Sequence, residues 1–212
     1  MENEQTSGGA GVSTGSRVIT PRRRDRGKDD RWIREFLDQA LYGFLATVEE
    51  GGPALNSNLF VHDAENGSIY MHTARTGRTP ENVARGGPAT FSTATIGRFL
   101  PASEALEFSV EYAAVVVSGR IRAVSEEGEK RRALELLMQK YAGHLHPGRD
   151  YRPVTGDEIK RTAVHRLDVE AWSGKEKVEA EGFPGAYTLP GIAPPLYREA
   201  EHRGAADLVE SD

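Results

Sequence analysis

The chain has 212 residues, a formal net charge of -5 and no cysteine. That length suits one domain of roughly 150 residues with tails. The acidic excess argues against general nucleic-acid binding, and the lack of cysteine excludes disulfides and thiolate metal sites. No apolar run approaches the roughly 20 residues that span a bilayer. Arg22, Arg23 and Arg24 are followed by none of the apolar stretch that a secretory or twin-arginine signal needs, so a cytoplasmic protein is the expectation.

Residues 1–28 are Gly, Ser, Thr and charge, the composition of a disordered tail. Asp29 or Asp30 can cap a helix to about Ala40 that puts Trp32, Ile33, Phe36, Leu37 and Leu41 on one face. Gly43 to Val48 and Ala54 to His62 read as strands joined by the turn Glu50-Gly-Gly-Pro53, and a second turn at Asp63 to Gly67 leads into a strand from Ser68. A short helix from about Pro80 to Arg85 follows, with the proline at its first position, and then a strand at Ala89 to Thr95. Tyr112 to Val124 is the strongest strand, its run Ala113-Ala-Val-Val-Val117 being apolar at successive positions. Glu126 to Tyr141 is an amphipathic helix, Thr155 to Arg161 a short one, and Ala163 to Trp172 the last strand. The domain is expected over 29–178, with residues 179–212 forming a Pro-rich arm whose Phe183, Tyr187, Leu189, Ile192, Leu196 and Tyr197 are too apolar for a plain linker. Six antiparallel strands with peripheral helices predict a mainly-β Greek-key barrel. The absence of a Gly-rich loop between strand and helix excludes a dinucleotide fold of the parallel type.

The segment Ser68 to Asn82 carries the chemistry. His72, Thr73, Arg75, Arg78, Thr79 and Asn82 crowd around a strand end and a helix start, where backbone N–H groups and guanidinium forks can hold a phosphate. Each also has a plainer reading. His72 can be a strand-end surface histidine, Arg78 a surface arginine, and Asn56, Ser57 and Asn58 an edge strand in solvent, while Trp172 is more often core or interface. His144, His146 and His165 define no metal geometry. No nucleophile elbow is present, which argues against hydrolysis.

Four segments together resemble the pyridoxamine 5′-phosphate oxidase-like, FMN-binding split-barrel superfamily, and within it the nitroimidazole-resistance branch. They are Gly43-Phe-Leu-Ala-Thr-Val48, Tyr70-Met-His-Thr-Ala74 with Gly77-Arg78, Val115-Val-Val-Ser-Gly-Arg120 and Trp172-Ser-Gly-Lys175. The resemblance runs from about Asp30 to Lys177. It implies a six-stranded split barrel and a homodimer with FMN in clefts between subunits. Asn58, His72 and Thr73 would line the flavin and ribityl chain, with His72 the candidate for proton transfer. Arg78 and Thr79, with Asn82 nearby, would meet the phosphate, and Trp172 and Lys175 would approach from the partner subunit or its edge. The implied reaction is reduction of a small acceptor, such as a nitroaromatic, with electrons from a nicotinamide donor. Two residues depart from the family pattern: Thr79 stands where a lysine usually follows the arginine, and Ala114 where Ser or Gln is common. They keep alternatives open: a deazaflavin or haem in place of FMN, a flavin-binding module without turnover, or a dimeric scaffold with an empty cleft. The C-terminal arm is expected to pack across the partner.

Overall fold

A computed structural model describes residues 17–188. Nine strands and four α-helices occur among them: β1 (Arg17–Val18), β2 (Gly27–Lys28), α1 (Asp30–Gln39), β3 (Gly43–Glu49), β4 (Gly52–Asn58), β5 (Val61–Asp63), β6 (Ser68–Thr73), α2 (Arg78–Ala84), β7 (Gly87–Leu100), β8 (Ser109–Ala123), α3 (Glu127–Ala142), α4 (Gly156–Arg161) and β9 (Ala163–Lys177). The strands form one sheet in the order β4-β3-β7-β8-β9-β6-β5, and β1 and β2 also pair with β9. Only the β1–β9 pairing is parallel.

Strand alternation sorts the side chains. On the inner face Leu45, Phe91, Val115, Val117, Ile69, Met71, Leu167 and Trp172 form the main core, which Ile33 and Leu37 of α1 complete. Asp29 starts that helix, its carboxylate accepting from the Trp32 N–H at 2.9 Å. Each fully buried aliphatic side chain contributes about 1.5–3 kcal/mol. A smaller cluster of Tyr70, Val124, Val164, Ala133 and Leu137 lies on the other face, where α3 covers β6 and the ends of β8 and β9.

Several boundaries differ from expectation. The strand expected over Ala54 to His62 is two, β4 and β5. The strand at Ala89 to Thr95 runs on to Leu100 across a register shift between Ile96 and Phe99, because Glu111 opposite accepts hydrogen bonds from the Arg98 backbone and guanidinium. β8 reaches back to Ser109 and β9 forward to Lys177. Residues 17–28, assigned to a disordered tail, instead dock on β9: Arg17 and Val18 pair with Ala171 and Trp172, and Gly27 and Lys28 with Lys175 and Gly174. Backbone pairing holds them, with the Lys28–Glu176 ion pair at 2.5 Å. Gly119 permits the bulge between β8 and β9, since a Cβ there would stand 1.9 Å from the Asp168 carbonyl oxygen.

The first part of the C-terminal arm folds onto its own subunit. Arg98 donates to the carbonyls of Glu179, Ala180 and Glu181, and Tyr187 bridges to Phe99 with their rings stacked at 5.6 Å. Leu189, Ile192, Leu196 and Tyr197 of the arm, like residues 1–16 of the tail, lie outside the described residues. Among the described residues no helix is long and apolar enough to cross a membrane.

Candidate functional site

The turn between β6 and α2 is built on Gly77, whose φ of 118° is open only to glycine at low cost. Gly77 precedes the helix, so α2 begins at Arg78 and Pro80 is its third residue, two places later than the sequence suggests. Arg78 is exposed and its Nε lies 3.8 Å from the Glu49 carboxylate at the end of β3. Thr79 is half-buried beside it. An anion at this corner would meet both and would compete with Glu49 for the guanidinium.

Asn82 shares the Glu49 carboxylate with Arg78 but is spent within the chain. It is buried, and its Nδ2 donates to Thr47 Oγ1 at 3.2 Å and Glu49 Oε2 at 3.1 Å, while its Oδ1 accepts from Arg85 at 3.0 Å. With donor and acceptor both engaged, Asn82 fastens α2 to β3 and positions Arg78.

His72 and Thr73, expected along one side of a cofactor, are adjacent in a strand and so face opposite ways. Thr73 turns inward. Its hydroxyl donates to the Ala74 carbonyl at 2.9 Å and lies 2.8 Å from His165 Nε2, so the imidazole supplies the proton of that second contact. His165 is 1% exposed, and burial together with the nearby His72 pushes its pKa down to about 4. It is therefore neutral at pH 7, and its Nδ1 has no partner among the described residues. Nothing local in the sequence signals this pair, because Met71 opposite His165 depends on the register of β6 with β9. His72 faces outward into a groove beneath α3, with Leu134, Met138, Tyr151 and Val154 among its walls.

The remaining candidates lie elsewhere. Asn58 pairs with Gly43 at one end of the β3–β4 hairpin, and Glu49, the partner of Arg78, pairs with Gly52 at the other. Six residues of strand, roughly 20 Å, separate the two ends. The Asn58 amide faces the inner side, where its Nδ2 is buried with no hydrogen-bond partner among the described residues. Ser57 is the residue of that triplet on the outer face, in register with Phe44, Ser92, Val116 and Ser173. Lys175 is on the same outer face one row along, opposite Ala114, its Nζ 5.3 Å from the Tyr112 ring centroid.

Trp172 is three residues from Lys175 and so points the opposite way. It is 1% exposed in the main core, with the Arg34 guanidinium 4.8 Å from its ring centroid and His62 edge-on. Trp172 thus packs as a core tryptophan, its Nε1 buried with no hydrogen-bond partner among the described residues.

The outer face of β4, β3, β7 and the first half of β8 is bare. Phe44, Val48, Leu55 and Ile96 are 41%, 65%, 65% and 61% exposed and share it with Val116. A contiguous apolar patch on a sheet marks a binding surface. The sequence carried a signal for it, since Phe44 and Val48 break the inward-apolar, outward-polar alternation. Among the described residues no cluster of three or more His, Asp or Glu side chains is arranged to hold a metal.

Solved structures of similar fold support the architecture. The flavocytochrome Anf3 from Azotobacter vinelandii shares 22% identity over 82% of this chain and 87% of its own, with a TM-score of 0.65. An FAD and heme binding protein from Mycobacterium smegmatis shares 20% over 86% and 96%, also at 0.65. A putative 5-nitroimidazole antibiotic resistance protein from Bacteroides thetaiotaomicron shares 19% over 70% and 84%, at 0.57. No functionally curated protein matches the chain. Residues 29–176, which hold α1 and every strand from β3 to all but the last residue of β9, match the family described as pyridoxamine 5′-phosphate oxidase. The mainly-β split barrel with peripheral helices is the fold of that family, and this chain belongs to it.

Proposed function

We propose that the protein is a homodimeric flavin-dependent oxidoreductase that binds FMN, free or as the mononucleotide part of a larger flavin. It would pass electrons from a nicotinamide donor to a small, flat acceptor such as a nitroaromatic. One observation carries the reading: in a pyridoxamine 5′-phosphate oxidase family chain, a bare apolar sheet face carries Lys175, while the exposed Arg78 with Thr79 stands beside one end of the β3–β4 hairpin and the orphaned amide of Asn58 lies on the inner side at the other. A second copy laid on this face would bury Phe44, Leu55 and Val116 and enclose a flat ligand at the seam. The names of the similar structures, a flavocytochrome, an FAD and heme binding protein and a putative nitroimidazole resistance protein, support a flavin and a nitro acceptor.

The residues present fit a flavin. Asn58 Nδ2 is a buried donor without an acceptor, as a ring carbonyl would require. Lys175 brings a positive charge to a face otherwise apolar and hydroxylated, where it would favour an anionic ligand. The flavin, when bound, supplies the two-electron chemistry. Arg78 and Thr79 would anchor the phosphate, with Asn82 holding the helix that carries them. Leu55, Phe44 and Val116 would keep water from the ring.

The test is the visible spectrum of the purified protein after gel filtration in the presence of FMN. Flavin bands that travel with the protein, and that Arg78→Ala removes, support the reading. A colourless protein that refuses flavin defeats it. Turnover is then measured as nicotinamide oxidation dependent on a nitroaromatic acceptor, and its absence from a flavin-loaded protein would leave a binding module only.

A further inference from the structure

Lys140 lies in the last turn of α3 and reaches across to α1. Its Nζ donates to the Leu37 carbonyl at 2.9 Å and stands 3.8 Å from the centre of the Phe60 ring. Leu37 belongs to the last turn of α1, whose carbonyls have no N–H partner within the helix, so one role of Lys140 is to cap α1. A neutral amine supplies the single N–H that this bond needs and keeps its lone pair free.

The same amine opens on a groove of about 360 Å³ between α1, β5 and α3, lined by Asp38, Val61, His62, Leu136, Gln139 and Lys140. Asp38 stands on one wall, its Oδ1 3.4 Å from Nδ1 of the buried His62. It is close enough to act on the Lys140 charge, yet the two form no ion pair among the described residues. The gap between acid and amine is open to a small molecule. Burial pushes the Lys140 pKa down to about 8, against the pull of Asp38. Roughly a tenth of the amine is then neutral at pH 7, against less than about one part in a thousand for an exposed lysine. A desolvated lysine beside a carboxylate is the arrangement that attacks carbonyl groups.

We propose that Lys140 and Asp38 form a covalent site for small neutral aldehydes, held as an imine on Lys140 Nζ. The amine lone pair forms the C–N bond to the carbonyl carbon, and the carbonyl π electrons pass to the oxygen. Asp38 takes each amine proton in turn and delivers it to that oxygen, which leaves as water when the C–O bond breaks. Both protons end in the water, nothing is oxidised or reduced, and hydrolysis reverses the step. Val61 and Leu136 give the carbon chain apolar walls, while the negative Asp38 disfavours an aldehyde that carries a carboxylate. When protonated, the imine keeps its charge over Phe60. The site lies away from the bare sheet face and does not depend on the flavin reading.

The experiment incubates the full-length protein near neutral pH with butanal or with succinic semialdehyde, reduces the imine with cyanoborohydride, and compares lysines by peptide mass mapping. With butanal, Lys140 is expected to be labelled roughly tenfold faster than the exposed Lys160, at a rate that saturates with aldehyde concentration. Succinic semialdehyde should label it more slowly. Asp38→Asn separates a built site from a merely acidified ammonium. Asp38 raises the Lys140 pKa, so its loss leaves more neutral amine, and an unassisted lysine would be labelled as fast or faster. A lysine assisted by Asp38 is labelled about tenfold slower in that variant. The Asp38 side chain is 62% exposed, and an unchanged urea midpoint confirms that the variant is folded. Labelling of Lys140 no faster than Lys160, a rate linear in butanal, equal labelling by the two aldehydes, or undiminished labelling in Asp38→Asn overturns the proposal.

Discussion

β8 crosses two halves of one sheet face that have been finished in opposite ways. Beyond Gly119 its outward residues Arg122 and Val124 lie under α3, in a network where Glu129 Oε1 accepts from Tyr70, Arg122 and Arg166 at 2.8–2.9 Å and Arg166 also holds Asp168 at 2.6 Å. Burial would raise the Glu129 pKa, but the three donors outweigh it and hold the carboxyl below its usual range. Before Gly119 the same face carries Ala114, Val116 and, from neighbouring strands, Phe44 and Leu55, with no helix over them among the described residues. A face that brings its own cover can afford charge, because every charge finds its counterpart within the chain. A face without cover is kept apolar and hydroxylated, which costs little when a flat ligand or a second copy dries it.

The largest test of that contrast is removal of packing from the covered half. Leu137→Ala is expected to lose about 3 kcal/mol in urea unfolding, since Leu137 is 6% exposed between α3 and the sheet. Next, Arg166→Ala leaves Glu129 and Asp168 short of a partner in a site only one-fifth exposed, and roughly 2–3 kcal/mol should be lost. Retention of full stability by both variants would mean that α3 is not what secures this half.

Acid gives a third probe. His165 takes up its proton near pH 4 when folded and near its ordinary 6.5 when unfolded. Between those values the unfolded chain binds more protons, so stability is full above about pH 6.5 and falls as pH drops toward 4. The contribution is on the order of 3 kcal/mol, and His165→Gln should flatten that part of the pH–stability curve. An unchanged slope would show that the buried imidazole is not the titrating group. The smallest effect on folding is expected on the bare half. Phe44→Ser and Val116→Ser should each shift stability of the isolated chain by less than about 0.5 kcal/mol while weakening self-association, read by light scattering across a dilution series. A species that stays monomeric in the parent protein would remove the second copy from this face.

Local patterns in the sequence located most elements: the strand from Gly43 to Val48 before its Gly turn, the Asp29 cap and the apolar run of β8 all fall where the structure puts them. The site was less legible because its logic is non-local. Parity along one strand suffices to set Trp172 and Lys175 on opposite faces, and that inference was available. The spending of Asn82 on Thr47 and Glu49, and the pairing of Thr73 with His165, depend on contacts 35 and 92 residues apart in sequence. Residues 17–28 carry no apolar periodicity because their backbone, not their side chains, makes the attachment to β9.

That attachment has a consequence for how the chain acquires its shape during synthesis. β9 is the common neighbour of β1, β2, β6 and β8, and it is the last strand to be made. Until residue 177 has emerged from the ribosome, β8 has an open edge and the first strands have no place to dock. The nascent chain thus carries unpaired strands for most of its translation, and its final step joins residues more than 150 positions apart, a slow closure by the measure of contact order. Slowing elongation near the C-terminus, or fusing a bulky domain after residue 177, should therefore reduce soluble yield more than the same change before β3.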